Sequence, residues 1–341
     1  MFLAEHPHAL PKLIVQARNL NKVQGTFIDS ILRYVGRDGR VHSHINAVRS
    51  GEGGTVSGRI SMNNPNLQQI PARDPELGPM IRRLFLPEEG EQWAAIDYSQ
   101  QEPRILTSYA KRFGDYRKMK MGGVEEFLNE YNENPDADFH SMVAELSGLP
   151  RKTAKTINLA LMYGMGVNKL SQQLDIPLEE AKDLTKQYHQ KVPFVKQLTQ
   201  GVQRYLDDPR SGGCIRSLKG RKCRFDQWEP ATFEMTKAMP YDEAVNAYGP
   251  TTKLKRAYTY KALNRLIQAS AADMTKQAMV NICETGKIPL LQVHDELAFS
   301  VADPEEARKL AKMMEEAVPL EVPNKCDIDL GPSWGDAKEL K

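Results

Sequence analysis

The chain has little with which to staple itself or cross a membrane. Only four of its 341 residues are cysteine (Cys214, Cys223, Cys283, Cys326), and none form a CxxC pair, which argues against a structural zinc site. The amino-terminal MFLAEHPHALPKL is not a secretion signal, because His and Pro interrupt its apolar stretch, so the cysteines read as reduced thiols of an intracellular protein. No apolar run is long enough to span a bilayer. Charge of one sign is also scarce. The net charge is only +2, so the chain is no polybasic tail, and any binding of nucleic acid must come from local clusters. The glycine-rich stretch Gly51–Gly58 lacks the GK[ST] ending of a phosphate-binding P-loop and reads as a flexible turn. There is no internal repeat and no low-complexity tract. What is present is an ordinary soluble composition, 40% apolar and 26% charged, in a chain long enough for more than one subdomain.

Two short strings about 200 residues apart carry most of the chemistry: DYSQQEPR at Asp97–Arg104 and QVHDEL at Gln292–Leu297. Each follows an apolar run that reads as a buried strand, WAAI at Trp93–Ile96 and IPLL at Ile288–Leu291. Asp97 and Asp295 are thereby delivered where strands end. An Asp after a strand is often only a turn former. Two strands that each present an acid at one sheet edge can instead hold two divalent cations, Mg²⁺ or Mn²⁺, about 3.5–4 Å apart, the arrangement that clamps an in-line phosphoryl displacement. Glu296 adjoins this pair as a weaker ligand candidate.

A third string, RKTAKTINLALMYG at Arg151–Gly164, predicts a basic helix. Arg151, Lys155, Leu159 and Tyr163 recur every four residues and form a ridge about 18 Å long. Such a ridge offers two cations, then an apolar side chain, then an aromatic ring, which is the order of phosphates, sugar and base in a nucleoside triphosphate. Read alone it is equally a solvated basic face. It is the company of the two acidic strings that favours the ligand.

The remaining pattern predicts helix over residues 10–32, with Leu13, Ile14, Ala17, Leu20 and Val23 on one face. Helix is also expected over 100–112, 139–146, 177–206 with a break at Pro193, 255–284 and 304–317. KMKMGG (118–123) reads as a mobile loop, GGCIRSLKGRKCRFD (212–226) as a hairpin turning at Lys219–Gly220, and 226–250 as an excursion loop. A hairpin centred on His294–Glu296 and a last strand near 326–330 complete an α+β arrangement.

These strings, in this order, resemble motifs A, B and C of family A DNA polymerases. TVSGRISMNNPNLQQIPAR (55–73) resembles the family's TxTGRLS…PNLQNIP segment, and LNRLIQASAADMTKQAM (263–279) resembles its palm helix between motifs B and C. The likeness runs from about Leu10 to Trp334. It implies a right-hand polymerase fold with an antiparallel palm sheet and helical fingers, the thumb largely missing. The implied parts are a thumb base over 1–25, palm over 26–110 and 256–341, and fingers with an excursion loop over 111–255. It implies template-directed DNA synthesis from dNTPs on primer–template DNA with two Mg²⁺ ions, in the cytoplasm of a bacterial host cell if the chain is phage-encoded, with no membrane partner. A separate exonuclease, helicase or processivity factor is a possible companion.

The resemblance also implies residue roles. Asp97, Asp295 and the Tyr98 backbone hold metal. Arg151, Lys155 and His140 contact the phosphates, with Lys155 and Glu296 counted among the catalytic groups. Gln100, Glu102, Leu159 and Tyr163 surround the nucleotide. Arg59, Asn66, Gln68, Asn264 and Gln268 touch the duplex near the primer end, His294 and Arg104 lie at the primer terminus, and Arg18 and Lys22 face the duplex from the thumb. Minor-groove acceptors are nearly alike for all base pairs, so amides and Arg there test pair shape without reading sequence. The chain departs from the family pattern at Pro103 (often Leu), Leu159 (usually Phe or Tyr), Ala160 (Gly) and Tyr260 (often Arg), and RAYTYKALNRLIQ is more like phage members. Two other readings stand beside this one: a related single-subunit RNA polymerase, which Glu102 argues against, and a catalytically dead junction-binding clamp, which Asp97, Asp295 and Lys155 argue against.

Overall fold

The structure is a computed structural model and describes residues 8–48, 53–71, 74–232 and 236–340, so part of the Gly51–Gly58 turn and Arg73 lie outside the described residues. The chain divides into two compact units. The first comprises Met1–Asp97, Met279–Met313 and Cys326–Lys341, and the second Tyr98–Ala278 and Met314–Lys325. The α+β expectation holds. No helix among the described residues is long and apolar enough to cross a membrane.

The first unit is organised by a five-stranded sheet. Its strands are β1 (Gln92–Tyr98), β2 (Leu291–Val293), β3 (Glu296–Val301), β4 (Cys326–Gly331) and β5 (Lys338–Glu339), in the order β5-β4-β1-β3-β2. β1 and β3 are antiparallel, in a register running from Glu296 opposite Asp97 to Val301 opposite Gln92. Central strands are covered on both faces, which is why WAAI is a continuous apolar run rather than an alternating one. Trp93 and Ala95 lie in a core with Leu291, Ala298, Met62, Leu67, Ile81 and Trp334. Trp93 stacks on Trp334 at 5.9 Å. Each such buried side chain stabilises the unit by roughly 1.5–3 kcal/mol.

Two expectations for this unit are corrected. The second strand begins at Leu291 rather than Ile288, which is 73% exposed. The predicted helix over 10–32 is a helix Ala9–Val23, a π-turn Gln24–Ile28 and a short helix Asp29–Arg33. The turn lets Phe27 reach the core, while Leu13, Ile14 and Leu20 on the preceding stripe stay exposed.

The second unit is mainly helical: α1 (Gln101–Arg117), α2 (Phe139–Ser147), α3 (Arg151–Met162) and most of α4 (Ala262–Cys283). The predicted hairpin forms as Cys214–Arg216 with Lys222–Arg224. Its turn is fastened to α4: Arg221 Nε donates to Asp273 Oδ1 at 3.0 Å, and the Leu218 amide donates to the Ser270 hydroxyl at 3.2 Å.

Three expectations differ here. The 118–123 segment is anchored at its second half, with Met121 3% exposed and the Gly122 amide donating to Gln197 Oε1 at 2.9 Å, while Lys118, Met119 and Lys120 stay exposed. The 226–250 excursion contains strands Gln227–Pro230 and Met239–Pro240 and a helix Tyr241–Tyr248, anchored by Trp228 against Tyr241 and under the Arg256 guanidinium. α4 starts at Ala262 instead of 255, because Leu254–Arg256 pairs as a strand and Tyr258 turns left-handed (φ 61°).

Candidate active site

In the first unit the register sets Asp97 and Glu296 directly opposite each other on one sheet face. Such cross-strand pairs stand about 4.5–5.5 Å apart at Cβ, and like charges there repel. Asp295 occupies the two-residue turn between β2 and β3, whose first residue, His294, has φ 57°. A non-glycine residue in that region is uncommon and strained by roughly 1–3 kcal/mol. The turn is braced from below: buried Gln292 donates through Nε2 to the His294 carbonyl at 2.6 Å, and Gln68 Nε2 donates to Gln292 Oε1 at 3.0 Å.

The electrostatics of this face are those of crowded carboxylates. Asp97 stands exposed at the strand end, yet desolvation by the surrounding protein, and then Asp295, Glu296, Asp327 and Asp329, push its carboxyl up to about 8. Glu296 is pushed up to about 7, again chiefly by burial, although Arg82 and a hydrogen bond from Trp334 work the other way. Its Oε1 is buried with no hydrogen-bond partner. Arg82 lies over the Trp334 ring, 4.3 Å from the centroid, and burial lowers its own pKa. Acids held this close to their neutral forms, with one oxygen unsatisfied, fit a site that a divalent cation completes. No group of three His, Cys, Asp or Glu among the described residues forms a ready metal cage.

In the second unit α3 presents the expected ridge. Arg151 and Lys155 are exposed, Leu159 and Tyr163 half-buried, and Ala154, Ile157, Asn158, Ala160 and Met162 are buried on the other side. Arg151 is held at its base: Nε donates to Asp138 Oδ2 at 2.6 Å. Burial would raise the Asp138 carboxyl, yet hydrogen bonds from Arg151 and Ser141 keep it below its usual value. His140, next to that cap, is 6% exposed and held down to about 4 by burial, helped by Lys155 and Arg151. The Tyr163 hydroxyl donates to the Glu102 carboxylate.

The other sequence candidates fall into two groups. His294, Arg18 and Lys22 are exposed, and Arg59, Asn66, Asn264 and Gln268 are half-buried, the last two on one face of α4. Asn66 caps the turn Leu67–Gln69 by accepting from the Gln68 amide. Three candidates are engaged by protein instead. Arg104 is 1% exposed, donates to the carbonyls of Ser99 (3.0 Å), Pro323 (2.7 Å) and Pro135 (2.5 Å), and lies over the Tyr131 ring. A guanidinium so enclosed cannot serve a primer end, so this expectation is corrected. Gln100 is an internal clamp: Oε1 accepts from the Phe139 amide at 2.6 Å and Nε2 donates to the Ala137 carbonyl at 3.0 Å. Its proposed nucleotide contact is replaced by that role. The Gln68 amide nitrogen is engaged by Ile60 and Gln292, so it cannot donate to a minor groove without releasing them. The Tyr98 side chain is buried, its hydroxyl donating to the Met314 carbonyl at 2.5 Å, which leaves only its backbone for a metal.

Several site residues escape sequence reasoning. Asp327 and Asp329 alternate along β4, and the DxD spacing in a predicted strand is a usable signal for two acids on one face. Arg82, Trp334 and Asn158 have no such signal, because only tertiary packing brings them to their partners.

Residues 2–336 match the family described as DNA polymerase family A. The DNA-directed DNA polymerase of Pseudomonas phage M6 is 35% identical, over 96% of this chain and 52% of that protein. The thermostable DNA polymerase I of Thermus aquaticus is 34% identical, over 97% of this chain and 37% of that protein. The solved POL domain of Pol1 from M. smegmatis, in complex with DNA primer-template and dNTP, superposes with a TM-score of 0.75 at 30% identity, covering 98% of this chain and 55% of that one. The chain thus spans about half the length, or less, of these relatives.

Proposed function

The chain belongs to DNA polymerase family A, and from that premise we propose that it is a DNA-directed DNA polymerase, adding dNTPs to a primer 3′-hydroxyl with release of pyrophosphate. The observation that carries this reading is the acid face of the first unit, where Asp97 stands opposite Glu296 beside the Asp295 turn and all three lie in one repulsive field. In this reading the sheet unit is the palm, α2, α3 and their neighbours are the fingers, and residues 1–25 are a thumb base.

Phosphoryl transfer asks a protein mainly for alignment and charge neutralisation. Asp97, Asp295 and the Tyr98 carbonyl would hold divalent metal. When bound, two Mg²⁺ ions, or Mn²⁺ in their place, neutralise triphosphate charge and acidify the primer hydroxyl. Arg151 grips phosphate with a fork pre-set by Asp138, and Lys155 adds a point charge one turn on. His140 offers a ring nitrogen to the same phosphates. Leu159 then meets the sugar and Tyr163 the nascent base pair. Glu102 excludes a ribose 2′-hydroxyl, and its bond from Tyr163 favours this reading over an RNA polymerase. His294, Arg59, Asn66, Asn264 and Gln268 address the primer–template near its end, and Arg18 and Lys22 the duplex further back.

Primer extension with dNTPs or rNTPs, with and without Mg²⁺, tests the proposal. Asp97→Ala and Asp295→Ala are expected to lose nucleotide addition while duplex binding persists and weakens with salt, since cations elsewhere carry it. Near-normal extension by either variant in Mg²⁺ would overturn the metal assignment.

A further inference from the structure

Asn158 is an oddity on its helix. It is a polar side chain with no exposed surface, on the buried side of α3 among Ala154, Ile157 and Met162. Its amide meets one group, the His140 ring, with Nδ2 2.9 Å from Nδ1. Its Oδ1 has no partner. A buried amide left half-satisfied is costly relative to an apolar residue of similar shape, so its one contact is where a benefit must lie.

We propose that Asn158 is a positioning residue, which fixes His140 as the neutral Nε2–H tautomer and so gives the phosphates of the incoming nucleotide a hydrogen-bond donor. The inference rests on the nucleotide reading of His140 given above. The amide Nδ2 can only donate, so Nδ1 must be the lone-pair nitrogen of the ring. A neutral imidazole then carries its hydrogen on Nε2, which has no protein partner among the described residues. Phosphate oxygens only accept. The opposite tautomer would turn a lone pair toward them and lose the contact. A charged ring would escape this choice, but burial opposes it first, and Lys155 and Arg151 add to that against Asp138, which favours the cation. A ring kept neutral needs something to choose its tautomer, and among the described residues Asn158 is the only side chain hydrogen-bonded to it. An Asp at 158 could only accept from Nδ1–H and would select the opposite form, whereas the amide with its Nδ2 turned to the ring donates.

The test has one arm that needs no substrate. ¹⁵N-histidine NMR of the full chain at pH 7.5 reads the tautomer directly, with His140→Gln assigning the signal. The expected result is Nε2–H in the wild type, a mixed tautomer in Asn158→Leu and Nδ1–H or a charged ring in Asn158→Asp. A wild-type ring found as Nδ1–H, or charged, or a tautomer unchanged in Asn158→Asp, overturns the proposal whatever the enzyme does. The second arm is steady-state primer extension: KM for dNTP rises about tenfold in Asn158→Asp, while affinity for primer–template stays within about twofold. If the tautomers shift as expected and KM does not move, the link from His140 to phosphate is overturned. If the wild type extends no primer at all, the reading on which it rests falls first. Because the NMR arm includes the wild type, the assignment stays decidable even if a variant folds poorly.

Discussion

The Tyr163 hydroxyl donates to the Glu102 carboxylate, joining the C-terminal end of α3 to the first turn of α1. The two residues lie 61 positions apart in sequence, on two helices whose faces carry separate parts of the proposed nucleotide site. The bond helps to hold the Glu102 carboxylate in place, and a gate that excludes a 2′-hydroxyl must be held still.

Glu102→Ala is therefore expected to raise rNTP incorporation relative to dNTP incorporation, and Tyr163→Phe to do so by less. A charge-assisted hydrogen bond contributes about 1.5–3 kcal/mol, so a shift of roughly tenfold to a hundredfold is in scale. Competing the two nucleotide classes on one primer measures it. An unchanged ratio in Glu102→Ala would sink the gate, even if total activity fell.

Arg104→Leu is expected to cost stability rather than DNA affinity. Its guanidinium holds three carbonyls with 1% of the residue exposed, so removal leaves buried acceptors unsatisfied and opens a void. Losses of about 3–5 kcal/mol are in scale for such a site. Urea unfolding reads the first effect and anisotropy with labelled primer–template the second. A folded Arg104→Leu protein that bound DNA tenfold more weakly would restore the primer role that its burial denies.

Arg104 also marks the limit of what a sequence can tell. The string DYSQQEPR gives the strand end, the Asp and the helix that follows, because each depends on local pattern. It does not say which way the arginine turns, since its partners, Pro135 and Pro323, come from loops that sequence reading leaves blank. The α3 ridge was legible because a four-residue repeat on a helix is geometry in one dimension. The Asp97–Glu296 pairing was not, because adjacency in the strings QVHDEL and DYSQ does not give the register between their strands. The strands and helix inside the 226–250 excursion are not legible for a related reason: Trp228 holds them through contacts with Tyr241 and Arg256, which hydrophobic period does not register.

Acid should destabilise the protein through His140. Its pKa is about 4 in the folded chain against about 6.5 when unfolded, so below pH 6.5 the unfolded chain binds the extra proton. The stability tied to the neutral ring is fully present above pH 6.5 and is lost as pH falls through 4. The share due to this group at pH 5 is on the order of 1–2 kcal/mol. Comparing unfolding free energies at pH 7 and pH 5 in the wild type and in His140→Gln isolates it. The variant should lose less on acidification, and equal losses in both proteins would mean that the ring titrates normally.

Leu159 should make this chain reject dideoxynucleotides, and Leu159→Tyr should relax that rejection. Position 159 lies on the α3 ridge between the exposed Lys155 and Tyr163, half-buried, where the proposed order of phosphate, sugar and base sets the sugar. Leu has no polar atom. When a nucleotide lacks its 3′-hydroxyl, nothing on this side chain replaces the lost hydrogen bond, and a polar neighbour is left unsatisfied. A Tyr hydroxyl supplies the missing group. Recovering one such bond is worth roughly 1–3 kcal/mol, or about tenfold to more than a hundredfold in selectivity. The competing explanation is that Leu159 only packs the helix, in which case Tyr would change stability and leave selectivity alone. Competition of ddNTP against dNTP, run beside thermal unfolding of the same two proteins, separates these outcomes. Equal ddNTP selectivity in the wild type and the Tyr variant would mean that residue 159 does not meet the sugar.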